Sequence, residues 1–293
     1  MNLAFFYSES AARLEPRRLA AVAVLVSDIA NPFFANIIPA IEERLSAAGF
    51  VTLVGNTSED RAKEERILKT LREFPPRGIL MCPSLRPEGV ASTPLGLAGR
   101  LPAVAFARPV TGLDYAGVNY ALGAELAVDH LYQIGHRKIA FVGGNPNAAT
   151  GQERLGGYRQ ALARWGLPVD PRWVVACAPN RAGGQRSLEP LLQLEDPPTA
   201  AVCFNDLVAL GVMATLERSG KKPGAQFGVI GFNDVPAAAA SLPRLTTVDT
   251  SPRQVGEAAA ELLLRRITNR NLLLQTVVLQ PRLIVRESCG MVI

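Results

Sequence analysis

The sequence has few histidines, few cysteines and no long apolar run, and each shortage argues against a class of protein. Only two histidines occur, His130 and His136, and neither is spaced with further ligands in the pattern of a metal site. The four cysteines lie far apart, as free thiols do in a reducing cytoplasm. No apolar stretch reaches the roughly 18 residues that a transmembrane helix needs. We therefore expect a cytoplasmic protein with no metal and no membrane partner.

Sequence signatures of catalysis are also missing. The sequence contains no phosphate-binding loop, no dinucleotide fingerprint and no nucleophile elbow. The glycine cluster that comes nearest to a phosphate loop, residues 143–147, lacks the lysine that such a loop requires, and we interpret it as a turn after a strand. These absences favour a binding protein over an enzyme, and no cofactor is expected.

Length and composition predict a two-lobed globular protein. A chain of 293 residues exceeds the size at which one hydrophobic core stops growing, and 48% apolar with 19% charged residues supplies ample core. The net charge of +5 comes from Lys and Arg residues spread along the chain. An ordinary solvated surface is the favoured interpretation, and a nucleic-acid footprint is the alternative.

Apolar runs alternate with amphipathic segments, which is typical of parallel sheets built from βαβ units. Strands are predicted at 20–26, 50–54, 78–82, 103–106, 115–118, 138–142, 173–175, 200–203, 227–230, 245–248, 275–279 and 283–285. Helices are predicted at 34–49, 59–73, 121–133, 154–165, 184–194, 206–218 and 251–266. Ser251 to Gln254 fits a capping box with proline at the first helical position. The pattern predicts an α/β protein with two doubly wound parallel-sheet lobes.

Polar residues follow the predicted strands of the first lobe. Ligands of open parallel sheets bind beyond the carboxyl ends of the strands. Asp28 follows the first strand, where its carboxylate can fix hydroxyl groups, and Phe33 and Phe34 lie at the start of the next helix. We predict one phenylalanine in the core and the other in the cleft. Asn31 and Pro32 fit a helix cap with a first-turn proline.

The second lobe offers three further candidates. Arg154 is predicted at a helix start, where the helix dipole disfavours a cation, so an anionic or hydroxyl-rich partner would explain it. A surface arginine is the alternative. Asn205 and Asn233 follow two later strands and are the better ligand candidates, whereas Asp206 and Asp234 could cap the next helices.

Several segments, in this order and spacing, resemble the LacI/GalR family of transcription regulators across Ala20 to Val285. They are Val26 to Phe34, Ile134 to Gly144, Glu153 to Tyr158, Phe204 to Gly211, Val229 to Asp234, and Leu245 to Val248. The resemblance implies a periplasmic-binding-protein-like fold of type I, with a ligand cleft between two lobes that the chain crosses three times. The crossings are expected near Val118, Val248 and Val278.

The resemblance also implies domain boundaries and effector contacts. It gives an N-terminal remnant or linker at 1–18, a first lobe of 19–118 plus 249–278, and a second lobe of 119–248 plus 279–293. The implied effector contacts are Asp28, Phe33, Phe34, Arg154, Asn205 and Asn233, with Thr150 as an additional one. The effector would be a sugar, a sugar derivative or a purine-like molecule.

The chain departs from the family pattern in four places. Ala107 stands where an aspartate is common, Pro179 where an aromatic is frequent, and Asn233 replaces an aspartate, which puts an ordinary hexose in doubt. Residues 1–19 are too few for a helix-turn-helix headpiece. The resemblance therefore implies a homodimer that senses its effector and reaches operator DNA only through a headpiece that this chain lacks.

Two alternatives share the two-lobed architecture. An exported solute-binding protein of a sugar transporter would be a monomer with an export signal, and Arg13, Glu15, Arg17 and Arg18 interrupt any apolar signal region. A two-lobed enzyme acting on a sugar or nucleotide would turn over its bound ligand.

Overall fold

The computed structural model describes residues 20–84, 101–145 and 148–290. The predicted remnant at 1–18, most of the loop expected after the third strand, and Pro146 with Asn147 lie outside the described residues.

Twelve strands and eight α-helices occur in the described residues. Up to the first crossing they are β1 (Ala21–Val26), α1 (Pro32–Ala47), β2 (Val51–Asn56), α2 (Arg61–Glu73), β3 (Gly78–Met81), β4 (Ala103–Phe106) and β5 (Asp114–Val118). Then come α3 (Tyr120–Gln133), β6 (Ile139–Val142), α4 (Ala149–Arg164), β7 (Val174–Val175), α5 (Arg181–Leu192), β8 (Ala200–Cys203), α6 (Asp206–Arg218), β9 (Gly228–Phe232), α7 (Pro236–Ala240) and β10 (Thr246–Asp249). The last are α8 (Pro252–Thr268), β11 (Thr276–Leu279) and β12 (Arg282–Ile284).

The strands form two six-stranded sheets with the same spatial order. One sheet runs β2-β1-β3-β4-β5-β11 and the other runs β7-β6-β8-β9-β10-β12. The sheets differ at the last strand, because β11 pairs parallel with β5 whereas β12 pairs antiparallel with β10. The predicted fold class, two doubly wound parallel-sheet lobes, is confirmed.

The chain passes between the sheets three times. It leaves the first sheet after Val118, returns after Asp249 to form α8 and β11, and leaves again between Leu279 and Arg282. The first and third connections are adjacent, because the Asn119 N–H donates to the Leu279 carbonyl oxygen at 3.0 Å.

The first lobe is built around α1 and α8. The Asn31 side chain accepts a hydrogen bond from the Phe33 backbone N–H at 3.1 Å, and Pro32 occupies the first helical turn, as expected for this helix start. Ile37 and Ile41 are fully buried in the same core as Leu263 of α8. At the crossing of these helices, a Cβ on Gly256 would lie 2.7 Å from the Ile37 carbonyl oxygen.

The second lobe has a tighter helix crossing. A Cβ on Gly157 of α4 would lie 2.1 Å from the Ala121 carbonyl oxygen of α3, so only glycine permits this approach. Near the end of α4, Trp165 stacks on Tyr132 with ring centroids 4.1 Å apart. Trp173 is buried in the core of the same lobe.

Two predicted helix starts are wrong. Helix α4 begins at Ala149 and not at Arg154; its N-cap residue, Ala148, makes no side-chain cap, so the sequence carries no start signal. Helix α5 begins at Arg181, because the Asn180 side chain accepts a hydrogen bond from the Gly183 N–H at 2.9 Å.

The predicted capping box is also wrong. Ser251 has left-handed backbone angles and makes no side-chain cap for α8. Its backbone N–H donates instead to the Asp249 carboxylate at 2.6 Å. Proline does occupy the first turn, and the helix ends at Thr268, two residues beyond the predicted end.

Candidate functional site

A pocket of about 90 Å³ lies between the lobes, beyond the carboxyl ends of strands from both sheets. All seven residues predicted as site residues line it: Asp28, Phe33, Phe34, Thr150, Arg154, Asn205 and Asn233. Nine further residues complete the lining: Ser27, Asn31, Glu59, Cys82, Ala107, Arg108, Tyr120, Pro179, Phe204. The fold therefore brings together side chains that are more than 200 residues apart in sequence.

The first-lobe wall begins with Asp28 and the two phenylalanines. Asp28 is exposed at the rim, and its carboxylate accepts a hydrogen bond from the Ala30 N–H at 3.0 Å. Phe33 and Phe34 pack edge to face, with centroids 5.2 Å apart, and Phe34 also contacts Phe106. Both rings are buried in the core and both line the pocket, so the expected division of one core ring and one cleft ring is wrong.

An ion pair that sequence reasoning missed completes this wall. The Arg108 guanidinium donates to both carboxylate oxygens of Glu59, at 2.8 and 2.9 Å, and to the Pro83 carbonyl oxygen at 2.8 Å. Glu59 and Ala107 both have φ of 58°, the left-handed region. A bidentate pair satisfies both partners, so these two charges cancel within the wall.

Arg154 forms the second-lobe wall and lies on the second turn of α4, not at the helix start. Its guanidinium carbon is 4.0 Å from the centroid of the Tyr120 ring, 4.5 Å from that of Phe204 and 4.8 Å from that of Phe232. Nη1 donates to the Thr150 carbonyl oxygen at 3.1 Å, whereas the buried Nε has no partner. Burial lowers the pKa of the guanidinium and raises that of Tyr120 to about 12.

The two asparagine candidates use their amides differently. Asn205 caps α6, because its Oδ1 accepts from the Val208 N–H at 2.9 Å, while its Nδ2 donates to the Pro179 carbonyl oxygen at 2.9 Å. Asn233 has φ of 100° and accepts a hydrogen bond from the Thr250 hydroxyl at 3.3 Å. No hydrogen bond from its Nδ2 occurs within the part of the chain that the structure describes.

Asp206 does not cap a helix, contrary to the expected alternative. It is fully buried behind the pocket wall, where its carboxylate accepts hydrogen bonds from the Thr247 hydroxyl at 2.5 Å and the Val235 N–H at 2.8 Å. A Cβ on Gly231 would lie 2.2 Å from its Oδ1, so the neighbouring strand leaves no spare space. Burial raises the pKa of this carboxyl group to about 7.

The described residues contain neither a candidate metal site nor a candidate membrane-spanning helix. No group of three His, Cys, Asp or Glu side chains among residues 20–84, 101–145 and 148–290 could hold a metal ion. In the same ranges, none of the helices is both long and apolar enough to span a membrane. The arrangement can bind a small molecule through hydrogen bonds, aromatic faces and one buried cation.

Known proteins resemble the chain over nearly its whole length. Residues 128–289 match the family of periplasmic binding protein-like domains. The HTH-type transcriptional repressor PurR of Aliivibrio salmonicida is 30% identical over 268 residues, which cover 91% of this chain and 80% of that protein. The ribose operon repressor of Haemophilus influenzae is 31% identical over 284 residues, covering 96% and 84%.

Solved structures give the same result. A complex of the transcriptional regulator CelR with cellobiose has a TM-score of 0.83 and 27% identity, covering 95% of this chain and 87% of that one. A LacI family transcriptional regulator from Enterococcus faecium with bound ribose has a TM-score of 0.79 and 25% identity, covering 93% and 99%. Both carry a small sugar, and both share the two-lobed architecture described above.

Proposed function

Because this chain belongs to the LacI family of transcriptional regulators, we propose that it is the effector-sensing and dimerisation part of a repressor. A small polar molecule binds in the pocket between the lobes and alters the affinity of the whole regulator for operator DNA. The observation that carries the proposal is Arg154, a buried arginine with an unpartnered Nε in the wall of that pocket. The family consists of regulators and not of enzymes, so we expect binding without turnover.

Each of the seven predicted site residues has a proposed part in binding. Arg154 and Asn233 donate hydrogen bonds to the effector, Thr150 and the rim carboxylate of Asp28 contact its polar groups, and the rings of Phe33 and Phe34 cover its apolar face. Asn205 holds the Pro179 segment against the pocket through its Nδ2, so its contribution is chiefly to position that wall.

The effector class is a sugar, a sugar derivative or a purine-like molecule. One relative is a ribose operon repressor, and one similar structure contains ribose. Another similar structure is a complex with cellobiose.

Effector binding would act by changing the arrangement of the two lobes. We propose a first lobe of 19–118 plus 249–278 and a second lobe of 119–248 plus 279–293. The pairing of β11 with β5 and of β12 with β10 supports this division. An effector shifts this equilibrium only if it binds one lobe arrangement better than the other, with a typical coupling of about 1 to 3 kcal/mol. A helix-turn-helix headpiece outside the described residues would read the operator in the cytoplasm.

A homodimer is part of the proposal. Strand β2 is the edge of the first sheet, and it exposes Val51, Leu53 and Val54 by 62%, 42% and 44%. An edge strand with several exposed apolar side chains is suited to pairing with a second copy. We propose that this edge, together with the neighbouring helix α2, contributes to the dimer interface.

The function is tested by a thermal-shift screen against monosaccharides, sugar acids, sugar phosphates, nucleosides and purines. We expect a saturable rise in the unfolding temperature with one class, because a ligand that binds the folded state stabilises it. Sedimentation equilibrium of the same sample should give twice the chain mass of 31.4 kDa. A monomer that binds a sugar would instead favour a solute-binding protein of a transporter, and turnover of the ligand would favour an enzyme.

A further inference from the structure

We infer that the effector is an anion, and that its carboxylate or phosphate group binds Arg154. This inference deepens the proposed function and rests on it, because it names the chemical class of the molecule that the pocket accepts. Four observations carry it: the balance of charge in the pocket wall, the free edge of one guanidinium, the spare amide donors and the methyl group of Ala107 on the facing wall.

The charges in the pocket wall do not cancel around Arg154. Four charged side chains line the pocket, namely Asp28, Glu59, Arg108 and Arg154. Glu59 and Arg108 neutralise each other through two short hydrogen bonds, and Asp28 lies in solvent at the rim. No carboxylate of the described residues, including the adjacent Glu153, forms an ion pair with Arg154. A buried cation without a counter-ion is unfavourable, and an anionic ligand would supply the missing charge.

The unused edge of the guanidinium has the geometry that an oxyanion requires. Nη1 is occupied by the Thr150 carbonyl oxygen, whereas Nε has no partner and no described residue accepts from Nη2. Nε and Nη2 present two parallel N–H groups, the arrangement that binds two oxygens of a carboxylate or phosphate. The Tyr120 and Phe204 rings contact the guanidinium near its carbon, so they restrict its position without using its N–H groups.

Two side-chain amides of the pocket wall have only their donor groups free. Asn233 uses its Oδ1 to accept from Thr250, which leaves the Nδ2 donor without a partner among the described residues. Asn31 likewise uses its Oδ1 to cap α1. Ala107, on the facing wall, contributes only a methyl group. Two spare amide donors, together with the free guanidinium edge, suit a ligand that is rich in acceptors, such as an oxyanion.

The Nε atom of Arg154 is closed off from solvent. Binding of an anion therefore requires the guanidinium or the lobe that carries it to move enough to present the Nε and Nη2 edge. That requirement links recognition of the charged group to lobe movement, because a neutral ligand gains much less from exposing this edge.

The test is isothermal titration calorimetry of the chain with three matched pairs of probes at constant ionic strength: glucose with glucuronate, galactose with galacturonate, and ribose with ribose 5-phosphate. In the pair that binds, the acidic member should bind at least about tenfold more tightly than the neutral one. Equal or tighter binding of the neutral member overturns the inference and leaves the proposed function intact. Binding by no probe counts against both.

The second part of the test introduces a negative charge inside the pocket. Asn233→Asp keeps the size of the side chain and the acceptor for Thr250, but places a negative charge beside the ligand. It should weaken binding of the acidic probe by at least about tenfold and that of its neutral partner by less. Asn271→Asp adds the same charge on an exposed site far from the pocket and should leave both affinities unchanged. Equal weakening of both probes by Asn233→Asp also overturns the inference.

Discussion

The two lobes have the same strand order, yet they differ in whether their buried charged side chains are paired. In the first lobe, Arg108 pairs with Glu59 and Arg266 pairs with Asp114, each through hydrogen bonds of 2.8 to 2.9 Å. The second lobe also contains an ion pair, Arg286 with Asp234 at 2.7 Å, but its buried Arg154 and Asp206 have no ion-pair partner among the described residues. The first lobe thus uses these charges to fix its structure, whereas the second lobe also contains two buried charged groups that are available to a ligand or a proton.

The largest expected effect concerns Asp206 and pH. Burial raises its pKa to about 7 from 3.8, so between these values the folded state holds a proton that the unfolded state releases. The stability from this proton is present below about pH 4 and is lost as the pH rises to about 7. At about 1.4 kcal/mol for each pH unit, the loss is of the order of 4 kcal/mol across this window. Denaturant unfolding at several pH values measures it.

Asp206→Asn is the control for this prediction. It removes the titration, so the free energy of unfolding should depend less steeply on pH in the variant than in the wild type. Burial lowers the pKa of His130 and His136, which makes stability rise with pH and opposes the Asp206 effect. The difference between the two proteins removes this contribution, and identical slopes would contradict the assigned role of Asp206.

The second largest expected effect distinguishes the two arginines of the pocket, Arg154 and Arg108, by their effects on effector affinity and on stability. Arg154→Met keeps most of the side-chain volume and should weaken effector binding by roughly 100-fold or more, about 3 kcal/mol, because the charged hydrogen bonds are lost. The unfolding temperature should stay the same or rise, since a buried cation without a partner is removed. Titration calorimetry and thermal unfolding measure the two quantities.

Arg108→Met is the matched change in the first lobe, and it should behave in the opposite way. It leaves Glu59 without its bidentate partner, so stability should fall by about 1 kcal/mol, while effector affinity falls by less than about tenfold. An equally severe loss of affinity in the Arg108 and Arg154 variants would contradict the proposal that Arg108 stabilises the first lobe while Arg154 binds the effector.

The smallest expected effect concerns the close helix crossings of the two lobes, α3 with α4 and α1 with α8. Gly157→Ala forces a Cβ against the Ala121 carbonyl oxygen at 2.1 Å and should destabilise the protein by about 2 kcal/mol. Gly256→Ala in the first lobe meets the Ile37 carbonyl oxygen at 2.7 Å and should cost about half as much. Chemical denaturation of each variant gives the free energies of unfolding.

The neighbouring Gly156 provides the control, because a Cβ there meets nothing within 4 Å. Gly156→Ala should be neutral or stabilise by up to about 1 kcal/mol, as alanine favours the helix more than glycine does. A loss of stability in Gly156→Ala equal to that in Gly157→Ala would show that helix propensity, and not the crossing, determines the effect.

Most of the fold could be predicted from the sequence because the strands are short, continuous apolar runs and most of them are followed by an amphipathic segment. The errors are at helix starts, where local side-chain signals mislead. The start of α4 carries no cap, since Ala148 has no side chain that could accept a hydrogen bond. Ser251 has the right spacing for a capping box. However, its backbone N–H donates to the Asp249 carboxylate, and its backbone adopts left-handed angles.

Those residues of the candidate site that directly follow a strand could be predicted from the sequence. Asp28, Asn205 and Asn233 each follow a strand, and the fold brings these strand ends to one pocket. The partners of these residues could not be predicted in the same way. Glu59 and Arg108 are 49 residues apart, and Tyr120 contacts Arg154 only because the chain changes lobes just before it. Such pairs depend on the packing of distant segments, which a local pattern does not encode.

The positions of the two tryptophans have an optical consequence. Trp165 and Trp173 are the only tryptophans in the sequence, and both belong to the second lobe. Their fluorescence therefore reports unfolding of that half alone, while calorimetric heat comes from both halves. Melting curves recorded by the two methods on one unlabelled sample would reveal whether the lobes unfold as a single cooperative unit or one after the other.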